Sequence, residues 1–570
     1  MENMKRRRKE INSMNNPKPE FNLKWYHGED LYSEGDIEDL IIELLKKNEP
    51  ENYTDAIYDN FCWSVYYHLT HLRKNILNWY PFHPDAEVLE IGAGLGAVTG
   101  VLCDKCKSVV SVELSRRRAE GILWRCREKE NLEIIVGNLN DIQFEKKFDY
   151  ITLIGVLEYQ GNYTDTENPY LDFLKRIKQY LKPNGKLFLA IENQFGLKYW
   201  CGAKEDHTLV PFNGIHQYTI KDNKTKTFSR AGLEGLLKKS GFKNTYFYYP
   251  MPDYKLPTVI YSQRHLPTNA NMQNMQCYYA PDRTTLIAQE ENLYQDIIEN
   301  NVFEFFANSF LVECTDLEEY GAVEFCSMSS ERMMEYQIGT RFLGKNQVEK
   351  FALKKNSGCK HIQQVILNQE ELKKRGLSVW EYWQKGEIIV ADYTDAKLWE
   401  EQWIKCMKTR DISKIFEMAD LLYDQILESS DKVSWEENIM YSMNLADQSG
   451  GDQYGPILKK GYLDMIARNA FLINEQLYWF DQEWTLENVP AKFVLYRAFV
   501  EFYSAYSEMD QYIPLAELAE RYGLLCIWGE LKQLNELFGK SVMDEKHLME
   551  SSFFRNSDRD ICLKNIQKIM

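Results

Sequence analysis

The spacing of apolar residues changes several times along this chain, and each change marks an element. Asp36 to Lys47 (DIEDLIIELLKK) carries Leu and Ile at helical spacing, and Tyr58 to Tyr80 repeats that period. Together they predict a helical lead-in. From Glu87 to Ser262, short apolar runs alternate with amphipathic segments. The runs Glu87–Ile91, Ser108–Glu113, Leu132–Val136, Tyr150–Ile154 and Lys186–Ile191 predict strands. Arg116–Glu128 and Tyr170–Leu181 predict helices, the second stopped by Pro183-Asn184-Gly185. This rhythm predicts an α/β fold whose parallel sheet is covered on both faces. Tyr246–Tyr249 and Val259–Ser262 read as its last two strands, joined through Pro250-Met251-Pro252-Asp253.

From Arg264 to Thr284 the chain turns polar, and this stretch (RHLPTNANMQNMQCYYAPDRT) reads as a linker or extended crossing. A second unit then starts near Leu286. It opens with strand-like pieces at Phe310–Cys314, Val323–Met328 and Lys350–Lys354, and turns helical after about Trp399. The expected division is a basic tail over 1–35, an α/β domain with its lead-in over 36–262, a linker over 263–285, and an α+β unit over 286–570.

Composition narrows the classes. At about 150 residues per domain, 570 residues suggest roughly three to four domains. With 44% hydrophobic and 27% charged residues, wholesale disorder is excluded. The net charge of −17 argues against a nucleic-acid partner held by general electrostatics. No run approaches the ~18 to 20 apolar residues of a transmembrane segment. The basic cluster Lys5 to Lys9 has no apolar region after it, so it reads as a solvated tail, with contact to an anionic membrane surface as the second reading. The 12 cysteines are scattered apart from Cys103 and Cys106, which suits reduced thiols in a cytoplasmic protein.

The strongest chemical signal is Val88-Leu89-Glu90-Ile91-Gly92-Ala93-Gly94-Leu95-Gly96, an apolar strand running into glycines and then a helix. Glycine permits the tight turn and lets a ligand approach the main chain. The next strand ends in Glu113, 21 residues after Gly92, where a carboxylate can accept hydrogen bonds from ribose hydroxyls. A nicotinamide oxidoreductase would show Gly-x-Gly-x-x-Gly instead, and it stands as the alternative. Gly92-x-Gly94-x-Gly96 preceded by Glu90 resembles motif I of class I S-adenosylmethionine-dependent methyltransferases. The resemblance runs on through Gly137-Asn138, Phe148–Glu158, Leu181–Lys186 and Phe228-Ser229-Arg230 to Gly241-Phe242. It implies a Rossmann-like doubly wound domain, S-adenosyl-L-methionine as cofactor, and Glu90, Gly92, Gly94, Gly96, Glu113 and Asn138 as its binding residues.

Methyl transfer from a sulfonium needs an in-line acceptor, and a base only where the acceptor must lose a proton. The segment from Glu192 to Lys226 falls at the carboxyl edge of the sheet, where ligands of open α/β sheets bind. His207 is the expected catalytic base there, with Glu192 and Asn193 as substrate holders.

A second pattern follows. Phe351-Ala352-Leu353-Lys354 ends a strand, Glu370 and Glu371 follow on a helix, Asp464-x-x-x-x-Asn469 comes next, and Asp481 ends a further strand. Phosphoryl transfer uses a Lys on phosphates, an Asp near the acceptor hydroxyl, and an Asn and an Asp on Mg²⁺. The order resembles the protein-kinase and aminoglycoside-phosphotransferase superfamily. That resemblance implies ATP at Lys354, catalysis at Asp464, and Mg²⁺ on Asn469 and Asp481. Tyr462-Leu463-Asp464 stands in place of His-Arg-Asp, and Gly321 is the one glycine of Cys314–Phe325. The two halves together resemble bacterial O-antigen methyltransferase–kinase fusions, which implies a glycan or small-molecule acceptor methylated on a sugar hydroxyl or sugar phosphate, polysaccharide biosynthesis, and glycosyltransferases as partners. The alternative for the C-terminal half is a non-catalytic module binding a glycan or a partner.

Overall fold

A computed structural model describes residues 18–268, 282–344, 346–354, 357–446, 451–555 and 559–570. The chain divides into two compact units, Met1–Ser330 with Lys546–Met570, and Glu331–Glu545. Residues 1–17 of the expected tail and most of the expected linker lie outside the described residues.

The first unit is built on strands β1 (Glu20–Trp25), β2 (Glu87–Ile91), β3 (Ser108–Glu113), β4 (Leu132–Gly137), β5 (Phe148–Ile154), β6 (Leu181–Glu192), β7 (Asn244–Met251), β8 (Val259–Ser262), β9 (Ser309–Thr315) and β10 (Phe325–Met328). Their order in the sheet is β1-β4-β3-β2-β5-β6-β9-β7-β8-β10. From β1 to β6 all neighbours are parallel, and from β6 onward they are antiparallel. Val88, Leu89, Ile151, Leu153, Leu187 and Leu189 are fully buried, as continuous apolar strands covered on both faces should be. The helices Arg116–Arg125, Pro169–Gln179 and Arg230–Lys239 fall where the sequence places them. Ser115 and Ser229 cap the first and third by accepting from the N–H of Arg118 and Gly232. Pro169 opens the second at a position with no helical N–H to lose.

Four expectations change. First, the sheet does not end with β7 and β8. β9 inserts between β6 and β7, pairing Lys186 with Thr315 and Glu192 with Ser309 on one side and Tyr248 with Leu311 on the other. Its residues were read as the opening of the second unit, so the boundary at 286 moves to Ser330. β9 is buried at all seven positions because it is interior to the sheet. Second, the tail expected over 1–35 contains β1, which pairs in parallel with β4 through Phe21 and Ile134. Third, Tyr58–Tyr80 is not one helix. It is cut into Thr54–Asp59, Trp63–Leu69 and a 3-10 turn at His71–Ile76, where Thr70 is extended and its hydroxyl accepts from the N–H of Leu72. Fourth, Pro183-Asn184-Gly185 does not form a free turn, because β6 runs through it with a register shift against β5.

The C-terminal end also returns to the first unit. Cys562, on the helix Arg559–Ile569, packs with Tyr199, Ala203 and Leu286, and the Asn565 amide donates to the carbonyl of Leu286 at 2.9 Å. The unit expected over 286–570 is therefore trimmed at both ends.

The second unit opens with β11 (Ile338–Leu343), β12 (Gln347–Ala352), β13 (Trp383–Lys385) and β14 (Ile388–Asp392), antiparallel in the order β11-β12-β14-β13. The helix Cys359–Lys374 buries Ile362 and Val365 against Ile338 and Ile389 of that sheet. The rest is mainly helical around a core that includes Trp399, Trp479 and Phe499. Gly321 belongs to the first unit, where a Cβ would lie 2.6 Å from the Tyr246 ring. It is a packing glycine and not part of a phosphate-covering loop.

Candidate functional site

The carboxyl ends of β2, β3, β5 and β6 meet in a cavity of about 520 Å³ in the first unit. Gly92, Gly94, Glu113 and Asn138 line one end of it. Gly92 and Gly94 adopt positive φ of 71° and 59°, which L side chains resist. A Cβ on Gly92 would sit 2.3 Å from a Val156 methyl, whereas one on Gly94 would meet nothing nearer than Arg118 at 4.0 Å. Gly94 is thus where a ligand can touch the backbone. Gly96 serves packing, because a Cβ there would come within 3.0 Å of the Ile122 backbone.

The Glu113 carboxylate accepts from the N–H of Gly94 at 2.7 Å and of Ser115 at 3.0 Å, which holds it at the rim of the glycine loop. Glu90 does not line the cavity. Its carboxyl accepts from Thr99 at 2.7 Å and Ser111 at 2.6 Å beneath the loop. Burial pushes Glu90 up to about 7, against the pull of those two hydroxyls. It shapes the loop rather than touching a ligand. Asn138 faces the cavity while its side-chain oxygen accepts from the N–H of Asn140.

Residues of the expected tail build one wall. Tyr32 and Glu34 line the cavity, and Arg118 stacks on the Tyr32 ring at 4.4 Å while donating to Glu34 at 2.6 Å and Glu38 at 2.7 Å. Burial works to raise Glu34, but His68 and Arg118 outweigh it and hold the carboxyl at about 2.

The other end of the cavity carries Glu158, Glu192, His207, Tyr254 and Lys255. Glu158 follows β5 in a short 3-10 turn, and Glu192 ends β6. One Glu192 oxygen is held by the Lys255 ammonium at 2.7 Å and the Tyr254 hydroxyl at 3.2 Å. Its second oxygen lies 3.7 Å from His207 Nε2, too far for a hydrogen bond. Lys255 and Lys198 both pair with Asp206. Burial and the neighbouring Glu192 push Glu158 up to about 8. Burial also opposes ionisation of Glu192, but Lys255 and His207 hold it far below the carboxylate range. His207 is lowered by burial and raised more by Glu192, to about 9. Glu192 makes the His207 proton harder to remove than on an ordinary imidazole, which works against the expectation of a free base.

Asn193 is not a substrate residue. Its amide donates to the carbonyls of Phe305 and Ala307 at 2.7 and 2.8 Å, and its oxygen accepts from the N–H of Phe195. It fastens the end of β6 to the segment before β9. Glu158 and Lys255 escaped the site expectations. The signal for Glu158 was its place just beyond a strand of the parallel sheet. Nothing local marks Lys255.

In the second unit, the kinase-pattern acids do converge. Asp464 accepts from the N–H of Glu483 at 2.8 Å and of Trp484 at 2.9 Å, and the Asn469 amide donates to the Asp464 carbonyl at 3.2 Å. Asp481 lies 2.6 Å from Lys350, not Lys354. Lys354 follows the end of β12 and reaches Met334 instead. Lys350 sits on β12 itself, whereas Lys354 lies two residues past its end, which is why the later lysine misses. Glu371 pairs with Lys460 and Tyr462, and the helix Cys359–Lys374 presents His361 and Asn368 to the Gln482–Glu483 segment. Burial and Glu483 push Asp464 up to about 7.

Comparison with known proteins supplies the family. The sequence pattern of a methyltransferase domain matches residues 34–246. An uncharacterized methyltransferase of Staphylococcus carnosus is 31% identical over 210 residues, covering 35% of this chain and 95% of that protein. Malonyl-[acyl-carrier protein] O-methyltransferase of Priestia megaterium is 27% identical over 153 residues, 26% of this chain and 51% of that protein. A solved structure of Haemonchus contortus phosphoethanolamine N-methyltransferase 1, in complex with phosphoethanolamine and S-adenosylhomocysteine, superposes with a TM-score of 0.28 at 13% identity. It covers 50% of this chain and 51% of that one, too slight a likeness to transfer anything. With nearly the whole length of the staphylococcal relative matched, this chain belongs to the methyltransferase family, as an S-adenosylmethionine-dependent enzyme.

Proposed function

We propose that the cavity binds S-adenosylmethionine with its adenosine at Gly94, Glu113 and Asn138 and its sulfonium directed toward Glu158 and Glu192, and that the methyl acceptor is a sugar hydroxyl. The observation that carries this reading is one cavity with two chemically different ends. The first has an open backbone glycine beside a ribose-length carboxylate. The second gathers carboxylates, a histidine and tyrosines that suit the hydroxyls of a polar, uncharged acceptor. The Priestia relative named above is an O-methyltransferase, which agrees with an oxygen acceptor. Polysaccharide biosynthesis remains the setting this reading implies. The test is titration calorimetry with S-adenosylhomocysteine and NADH, then transfer of labelled methyl from S-adenosylmethionine to a panel of hexoses, deoxyhexoses and sugar phosphates. Binding of NADH in place of S-adenosylhomocysteine would remove the cofactor assignment. Exclusive labelling of phosphates would remove the acceptor.

For the second unit, the favoured reading is a kinase-like centre of Lys350, Asp464, Asn469 and Asp481, supported by the 2.6 Å Lys350–Asp481 pair and by the Asn469-to-Asp464 bond. ATP and Mg²⁺ are its implied ligands. Thermal unfolding of the full chain with and without Mg·ATP tests it. No shift at millimolar nucleotide would leave the binding-module alternative.

A further inference from the structure

At the acceptor end of the cavity, three potential metal-ligand atoms come from three separate segments: a carboxylate oxygen of Glu158, one of Glu192, and a ring nitrogen of His207. All three lie within 4.8 Å of one another. Glu158 and Glu192 are each 1% exposed, and the His207 side chain is 8% exposed. Glu158 Oε2, Glu192 Oε2 and His207 Nε2 are all buried without a hydrogen-bond partner. Leaving a single buried polar atom unsatisfied is unfavourable, and more so where the group is charged. Three such atoms facing one small volume are a strong demand for something between them.

We propose that Glu158, Glu192 and His207 hold a divalent transition-metal cation of the Mn²⁺ or Zn²⁺ class, positioned to receive the acceptor oxygen. The acceptor part rests on the methyl-transfer reading above; the cation site rests on the donor set alone.

The surroundings fit. Glu192 Oε1 is already fixed by Lys255 and Tyr254, so Oε2 is oriented by a supporting shell, as metal-bound carboxylates are. The His207 ring stands edge-on to Tyr159 at 5.2 Å, and its backbone N–H donates to Glu205 at 3.1 Å, which holds the residue in place. Metal–ligand bonds of about 2.1 Å bring neighbouring ligand atoms to roughly 3–3.5 Å apart, so a gap of 4.8 Å closes by about 1.3–1.8 Å, within reach of side-chain rotation. The 3.7 Å His207–Glu192 separation is already near that spacing. Lys255 and Lys198 are spent on Glu192, Asp206 and Asp253, and among the described residues no ammonium lies within ion-pair distance of Glu158. One imidazole with two carboxylates selects Mn²⁺, Fe²⁺ or Zn²⁺ over Mg²⁺ or Ca²⁺, which prefer all-oxygen sets. A hydroxyl on that cation releases its proton to solvent. Its oxygen then forms the bond to the methyl carbon while the carbon–sulfur electron pair returns to sulfur.

The experiment uses the full-length chain stripped with a chelator. Mn²⁺ is titrated and the free ion is followed by electron paramagnetic resonance, with Co²⁺ absorption as a second probe. S-adenosylhomocysteine affinity is measured on the same samples. The expected result is one saturable Mn²⁺ per chain, weakened at least about tenfold in Glu158→Gln, and a Co²⁺ spectrum that changes in His207→Asn. Should Glu158→Gln fail to fold, Glu192→Gln answers the same question. Two results would overturn the site: no saturable Mn²⁺, Co²⁺ or Zn²⁺ on protein that binds S-adenosylhomocysteine, or equal binding by wild type and the carboxamide variants. Loss of S-adenosylhomocysteine binding by the wild type would fall on the cofactor reading instead, and the metal titration would still decide this one.

Discussion

Replacing Gly94 with valine separates cofactor binding from folding, and the structure supplies both magnitudes. The backbone at Gly94 has φ +59°, a conformation that costs an L side chain about 1–2 kcal/mol. A Cβ there adds no clash, because the nearest atom is the Arg118 guanidinium at 4.0 Å. The folded protein should therefore lose mainly the strain. The two valine methyls, however, enter the cavity where the loop backbone is open to the cofactor. Displacing the adenosyl group from that contact should lower S-adenosylhomocysteine affinity at least about 100-fold, which is about 2.7 kcal/mol. Gly92→Ala provides the contrast. Its Cβ would overlap a Val156 methyl at 2.3 Å, so stability falls first and binding follows from the damaged loop. Calorimetry with S-adenosylhomocysteine and thermal unfolding on the same preparations distinguish the two. If Gly94→Val binds within about threefold of wild type, the cofactor does not cross the loop at this residue, and the placement is wrong.

Glu113→Ala should weaken S-adenosylhomocysteine by about 10- to 100-fold, the worth of charge-assisted hydrogen bonds, with Glu113→Gln intermediate; equal affinity in all three proteins would detach the ribose from this carboxylate. Glu90 has its folded pKa raised from 4.5 to about 7, so its contribution to stability is fully present below the unfolded value and disappears as pH rises through 7. Glu90→Gln should accordingly gain thermal stability relative to wild type across that window, and parallel Tm-against-pH curves for the two proteins would contradict the burial argument. A chain ending at Ser262 should be insoluble, because it leaves β6 and β7 without the strand between them, and Leu311→Ala in the full chain should cost about 2–5 kcal/mol by chemical denaturation. Lys350→Met should abolish any Mg·ATP-dependent thermal shift while Lys354→Met leaves it; the opposite pattern would restore the later lysine to the phosphate role.

What the sequence alone settles here is local. The strands from β2 to β6, the helices Arg116–Arg125 and Arg230–Lys239 with their serine caps, and the glycine turn at 92–96 all follow from short-range periods, caps and turn residues. Glu113 was legible for the same reason, since its distance from Gly92 is set by one intervening helix and strand. Tertiary structure decided the rest. β9 looks in sequence like any buried strand, and only its pairing with β6 and β7 places it in the first sheet. Tyr32 and Glu34 become a cavity wall because Arg118 gathers them. Lys350 displaces Lys354 because a strand has a length, and the one nearer its middle meets Asp481. Glu158, Glu192, His207 and Lys255 spread over about a hundred residues and converge only when β5 and β6 are laid side by side. Local propensity encodes what neighbours in the chain do to one another. A site built from strand ends depends on which strands become neighbours in the sheet, and that choice is made by burial of the whole core.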